Sequence, residues 1–179
     1  MSGAEETPSV KRHRAAAPRR VSCGVITVSD TRTHETDSGG ALVAELLEGG
    51  GHSVQGRQIV PDDPPAIAAA LLAALEEPGC RAVILTGGTG VAARDVTPEA
   101  VRPLLDRELP GFGELFRMLS YEEIGAAALL SRAFAGLRGS QLVFALPGSR
   151  GALRLALEKL ILPELGHLVG EGGHEPAAN

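Results

Sequence analysis

Thr86-Gly87-Gly88-Thr89-Gly90 leaves an apolar run and leads through Arg94-Asp95 into Thr97-Pro98-Glu99. Its glycines permit positive φ and close backbone approach, so successive N–H groups can form a concave anion site. No Gly-Lys-Ser/Thr follows, which excludes the phosphate loop of nucleoside triphosphatases. Gly88 to Ala93 matches G-x-G-x-x-A. The helix-start signal, however, comes only at Thr97, whereas a dinucleotide fingerprint opens its helix at the glycines. Two carboxylates stand nearby. Asp62 follows Pro61 at the end of an apolar run, and Asp95 lies between the glycine loop and the helix start. Singly, each reads equally well as a turn or capping acid. Together on neighbouring strand ends they suit Mg²⁺ beside phosphates, because hard cations take carboxylate oxygens. Arg94 could neutralise a phosphate. Ser131 and Arg132 read as surface or packing residues of a helix, and His34, His52 and His167 lack metal-ligand spacing.

The elements that must carry these residues alternate. Residues 21–30, 53–63, 81–86 and 141–148 are apolar, β-branched runs that read as strands, and Gly56 interrupts the second. Helices are expected over 37–51, with Asp37 or Ser38 as cap, over 64–79 and from Thr97, capped by Thr97 and cut short at Pro103. Residues 110–136 read as two helices breaking near Ser120, where Ser120 and Glu123 have capping-box spacing. A final helix over 149–169 has Ser149 as cap and a bend or split at Pro163. The βαβαβ order predicts an α/β fold, a three-layer α/β/α sandwich around a mostly parallel central sheet. In such a sheet ligands bind beyond the carboxyl ends of the strands. Those ends hold Ser29-Asp30, Pro61-Asp62-Asp63, Thr86 to Gly90 and Pro147-Gly148-Ser149. All of these loops therefore converge on one edge.

The 179 residues suffice for one sizeable core. Residues 1–20 read as a basic, disordered tail, 21–170 as the domain and 171–179 as a C-terminal tail. The first 20 residues hold five basic side chains against two acidic ones, which leaves the rest of the chain at −8. That balance, with five aromatic residues and no Trp, argues against nucleic-acid binding. No apolar run has the length of a membrane span, and Cys23 and Cys80 have no metal or redox spacing, so a cytoplasmic location is expected.

"TVSDTR", "DSGG", "IVPDD", "LTGGTGVAARDVTPEA", "PGFGELFR", "LSRAFAG" and "LPGS" resemble, in order and spacing, the MoaB/MogA family of molybdenum cofactor biosynthesis proteins, related to gephyrin-type G domains. The resemblance runs from Val21 to Val169, and TGGTG followed by RDVTPEA is its most specific part. It implies a molybdopterin-binding fold and a molybdopterin adenylyltransferase that uses Mg²⁺ and ATP and releases pyrophosphate. The alternative is a molybdopterin-binding or carrier protein without the transfer step. The resemblance further implies a homotrimer or hexamer, with a molybdenum-insertion protein as a candidate partner. By position, Asp62 and Asp95 match the family's functional acids and Gly87 to Gly90 its ligand loop. Ser29, Asp30, Ser131 and Pro147 to Ser149 match other pocket positions.

Overall fold

Apolar residues at a two-residue period divide each central strand between two cores. In β1 (Ser22–Val28), Cys23 and Val25 face one side and Ile26 and Val28 the other. The same alternation splits β3 (Ala82–Thr86) into Ala82 and Ile84 against Val83 and Leu85. It splits β6 (Gln141–Leu146) into Leu142, Phe144 and Leu146 against Val143 and Ala145. The computed structural model describes residues 18–172. The expectations for 1–17 and 173–179 lie outside the described residues.

Helix α1 (Ser38–Gly49) covers the first face with Leu42, Val43 and Leu47. It is joined there by Phe116 of α4 (Pro110–Ile124) and by the C-terminal helical run. Helix α2 (Pro64–Glu76) covers the second face with Ile67, Leu71 and Leu75, beside Ala100 and Val101 of the short α3 (Thr97–Val101). Burying each such Leu or Ile contributes about 1.5–3 kcal/mol, so both layers are firmly attached to the sheet. With β2 (Ser53–Val60), β4 (Arg107–Glu108) and β5 (Phe134–Arg138), the strand order is β2-β1-β3-β6-β5-β4. The first four strands are parallel, and β5 and β4 run antiparallel at one end. The expected sandwich is present. The order reverses between β1 and β3, so the crevice beyond their carboxyl ends is the topological switch point. The interruption at Gly56 is a bulge: Cys23 pairs with Val54 and Gly24 with Gly56, leaving Gln55 extra.

The stretch 110–136 differs from its sequence reading. Ser120 does not start a helix; it is buried within α4, and its hydroxyl donates to Phe116 O at 2.7 Å. α4 ends at Gly125, whose φ of +63° places it in the left-handed region, and Gly125–Leu130 continue as a 3₁₀ turn. β5 was hidden because Phe134–Arg138 is short and follows helical residues. It forms a hairpin with β6 through Gly139-Ser140, with Gly139 at φ +57°. Gly136 is required there, because a Cβ would stand 2.6 Å from Arg107 O of β4. At the C-terminus, α5 (Arg150–Ala156) passes through a π turn at Leu157–Ile161 into α6 (Leu162–Gly172). Pro163 explains that widening, since its ring would clash with the carbonyl of Lys159 in a regular helix. α6 runs two residues past the expected domain end at 170.

His52 anchors the start of β1. Its Nδ1 accepts the Val21 N–H at 3.2 Å in a buried position, and burial pushes the imidazole pKa below its ordinary value. The fold therefore favours the neutral ring. Its contribution is fully present above pH ~6.5 and is lost as pH falls below that value, where the unfolded chain takes up the proton first. Thermal unfolding from pH 7.5 to 5 is expected to show a falling Tm in the wild type and a flatter curve for His52→Gln. Parallel curves would refute the assignment.

Candidate functional site

The glycine loop after β3 lies at the switch point, and its backbone has an ordered polarity. Gly87 and Gly88 adopt φ of +105° and +63°. The loop carbonyls are taken up from below. Gly87 O accepts from Thr97 Oγ1 at 2.8 Å, Gly88 O from Thr97 N at 3.0 Å and Thr89 O from Arg132 N at 2.9 Å. Gly90 O accepts from Arg132 Nε at 2.7 Å. The N–H groups of Gly88, Thr89 and Gly90 meet no protein acceptor among the described residues. Thr89 also buries a hydroxyl without a partner. With oxygens turned in and N–H groups unclaimed, the loop has the polarity that an anion nest requires.

Two acids meet beside it. Asp30 Oδ1 accepts from Asp62 N at 3.1 Å, and Asp62 Oδ2 accepts from Asp30 N at 3.2 Å, so the loops after β1 and β2 are tied reciprocally. Desolvation and the neighbouring Asp30 charge push the Asp62 pKa up, and the Asp95 charge adds to this. The Asp30 N–H and the Arg94 charge oppose it. Asp62 Oδ1 approaches the Gly88 backbone, since a Cβ built there would lie 3.3 Å from it. Asp95 Oδ2 accepts from Ala92 N at 2.9 Å and closes the turn after Gly90. Asp30, Asp62 and Asp95 each keep one carboxylate oxygen without a hydrogen bond, and Arg94 is exposed. Asp63, adjacent in sequence, is used differently: it caps α2 through Ala66 N at 3.0 Å.

Ser29, Thr86 and the Pro147–Ser149 turn lie on the loops that adjoin this centre. Ser29 N donates to Val60 O, and Ser29 Oγ accepts from Thr31 N at 3.3 Å, shaping the loop that ends in Asp30. Thr86 Oγ1 donates to Pro147 O at 3.4 Å, and Gly148 passes close enough that a Cβ would touch Gly87 Cα at 3.6 Å. Ser149 caps α5, as its position after a strand suggested. Asp37 caps α1 and is buried, accepting from Gly40 N and from Thr27 Oγ1, both at 2.9 Å.

Two expectations change here. Thr97 is not a cap; Val96 holds that position without a side-chain bond, and the Thr97 hydroxyl is used on Gly87. Ser131 and Arg132 are not helical but lie in the extended segment entering β5. Ser131 lines a cleft of 430 Å³ with Glu99, Arg102, Arg117 and Arg132, and its hydroxyl accepts from Ala133 N rather than bonding to Asp30, Asp62 or Asp95. Sequence reasoning missed Thr97 and Arg132 as site residues because both act on backbone oxygens, which leave no spacing signal.

Mg²⁺ fits the donor set in part. The acids offer hard oxygens, but among the described residues no three His, Cys, Asp or Glu side chains form a metal centre. An ion here would complete its shell with phosphate oxygens and water.

The family model described as a probable molybdopterin binding domain matches residues 24–167. Molybdenum cofactor biosynthesis protein B of Bacillus cereus is 54% identical over 164 residues, 91% of this chain and 97% of the relative. A crystal structure of a molybdenum cofactor biosynthesis protein B superposes with TM-score 0.86 at 53% identity, covering 89% of this chain and 99% of the other. The tungsten cofactor synthesizing protein MoaB from Pyrococcus furiosus gives 0.80 at 41% identity, over 88% and 100%.

Proposed function

The chain belongs to this molybdopterin-binding domain family and serves molybdenum cofactor biosynthesis, and from that premise we propose that it adenylylates molybdopterin with Mg-ATP. One observation carries the reading: a nest of unclaimed N–H groups at the switch point, bordered by Asp30, Asp62 and Asp95, each with a carboxylate oxygen to spare.

In this reading an oxygen of the pterin phosphate attacks the α-phosphorus of ATP. One P–O bond forms and the bond to the β-phosphate oxygen breaks, so pyrophosphate leaves. Two polyanions must be held in line, and the barrier falls through positioning and offset charge rather than through a protein nucleophile. Cys23 and Cys80, the two thiols, are buried within the fold. The Gly88–Gly90 N–H groups bind phosphate oxygens, and Arg94 adds a positive charge at the rim. Asp62 and Asp95 would hold Mg²⁺, which supplies charge neutralisation between the phosphates. Ser29, Asp30, Thr86 and the Pro147–Gly148–Ser149 turn shape the walls of the pocket, and Ser131 would meet substrate from the cleft it lines with Arg102 and Arg117. Leu115, Met118, Tyr121 and Ile124 on α4 are exposed apolar side chains that a second copy would cover in a homotrimer or hexamer. A molybdenum-insertion protein would take the product.

The test is incubation of the purified protein with molybdopterin, ATP and Mg²⁺. Pyrophosphate should accumulate one for one with adenylylated pterin. Pterin binding without pyrophosphate would identify a carrier and reject the proposal.

A further inference from the structure

Arg132 reaches the glycine loop from 42 positions away in sequence and makes four contacts with it or its support. Its Nε donates to Gly90 O at 2.7 Å, its Nη2 to Asp95 O at 2.5 Å and its backbone N to Thr89 O at 2.9 Å. Nη1 pairs with Glu99 on α3. One rigid guanidinium thus holds both ends of the segment 90–95. The Asp95 carboxylate, which is bonded only to Ala92 N, stands at one of those ends, with the exposed Arg94 beside it. In each peptide the N–H points opposite the carbonyl of the preceding residue. Thr97 and the Arg132 backbone N–H turn the peptides of the Gly88, Thr89 and Gly90 N–H groups, and the guanidinium fixes where that turn ends and where the Asp95 backbone stands.

We propose that Arg132 is the positioning residue of this site: it holds the glycine loop in its anion-binding conformation by taking up the Gly90 and Asp95 carbonyls. It touches no substrate itself, and as a device for catalysis the proposal rests on the adenylyl-transfer reading above. Lysine cannot replace it, because a single compact ammonium cannot span two carbonyls that a planar fork reaches together. Without the fork the loop opens, and an anion must select the minor closed population. Apparent affinity then falls by the closed fraction, while turnover at saturation is little changed.

Arg132→Ala and Arg132→Lys are compared with wild type in three measurements. The first is the rate of trypsin cleavage after Arg94, identified by fragment mass. The second is the calorimetric affinity for inorganic pyrophosphate. The third is the steady-state constants for Mg-ATP. Loss of two backbone hydrogen bonds should weaken loop closure about 30-fold in the Ala variant, so the rise in nicking rate and the fall in pyrophosphate affinity should multiply to about 30. KM for Mg-ATP should rise similarly, with kcat within threefold of wild type. The Lys variant should regain Tm, while the product of its nicking and affinity factors stays at about tenfold or more. A residue that merely supports the fold would move Tm and leave these factors unlinked. Unchanged nicking and pyrophosphate affinity in Arg132→Ala, or wild-type values in Arg132→Lys, would overturn the proposal. If the wild type transfers no adenylyl group, nicking and pyrophosphate binding still decide the clamp, and only the reaction falls.

Discussion

Asp62→Asn is expected to lower adenylyl transfer by about 10²–10³-fold, the scale of losing one aimed electrostatic partner, while slightly raising Tm. The two effects have one origin. Asp62 sits partly desolvated against Asp30, with Asp95 also within electrostatic reach, so its ionised form is disfavoured in the fold and its pKa is raised. A carboxylate with a folded pKa above its unfolded value stabilises less as pH rises through the carboxylate range, and at neutral pH its charge opposes folding. Asparagine removes that charge. It keeps an amide oxygen to accept the Asp30 N–H, so the reciprocal tie between the loops survives. Turnover assays beside thermal melts at pH 7 test this. A lower Tm would mean that the acid is structural, and retained turnover would remove Asp62 from the reaction.

Gly87→Ala is expected to lower Tm by roughly 10 °C, from about 3 kcal/mol of strain and overlap. Gly87 holds φ +105°, and a Cβ there would be driven into the carbonyl oxygen of Val28, in the neighbouring central strand. The contact is with backbone, and alanine has no rotamer to relieve it. The nest should be lost with the turn, so nucleotide binding should fail even well below the lowered Tm. Gly148→Ala is the contrast, because its Cβ would meet Gly87 Cα only at an ordinary 3.6 Å. Calorimetry on both variants separates a strained loop from general crowding. Equal behaviour of the two would refute the distinction.

The parallel core was legible because β1, β3 and β6 are continuous apolar runs between helices with clear caps, such as Asp37 and Ser149. β4 is two residues long and leaves no pattern. β5 carried a signal that helical neighbours masked, the Gly139-Ser140 pair between Phe134–Arg138 and Gln141–Leu146. The strand ends named the site, because topology alone brings Asp30, Asp62 and the glycine loop together. What the chain order could not reveal is how backbone oxygens are used. Thr97 looked like a cap and Arg132 like a surface or packing residue of a helix, yet between them they claim the carbonyls of Gly87, Gly88, Thr89 and Gly90. Asp62 and Asp63 are likewise alike in sequence. Only register separates the acid that faces the loop from the one that caps α2.

The central claim is transfer of an adenylyl group at this nest, and its most direct test follows the α-phosphate. Protein, Mg²⁺, molybdopterin and ATP labelled at the α-phosphorus are incubated together, and the pterin is separated. The label should appear on molybdopterin, with unlabelled pyrophosphate released in equal amount. Label remaining entirely in ATP while molybdopterin is bound would contradict the account.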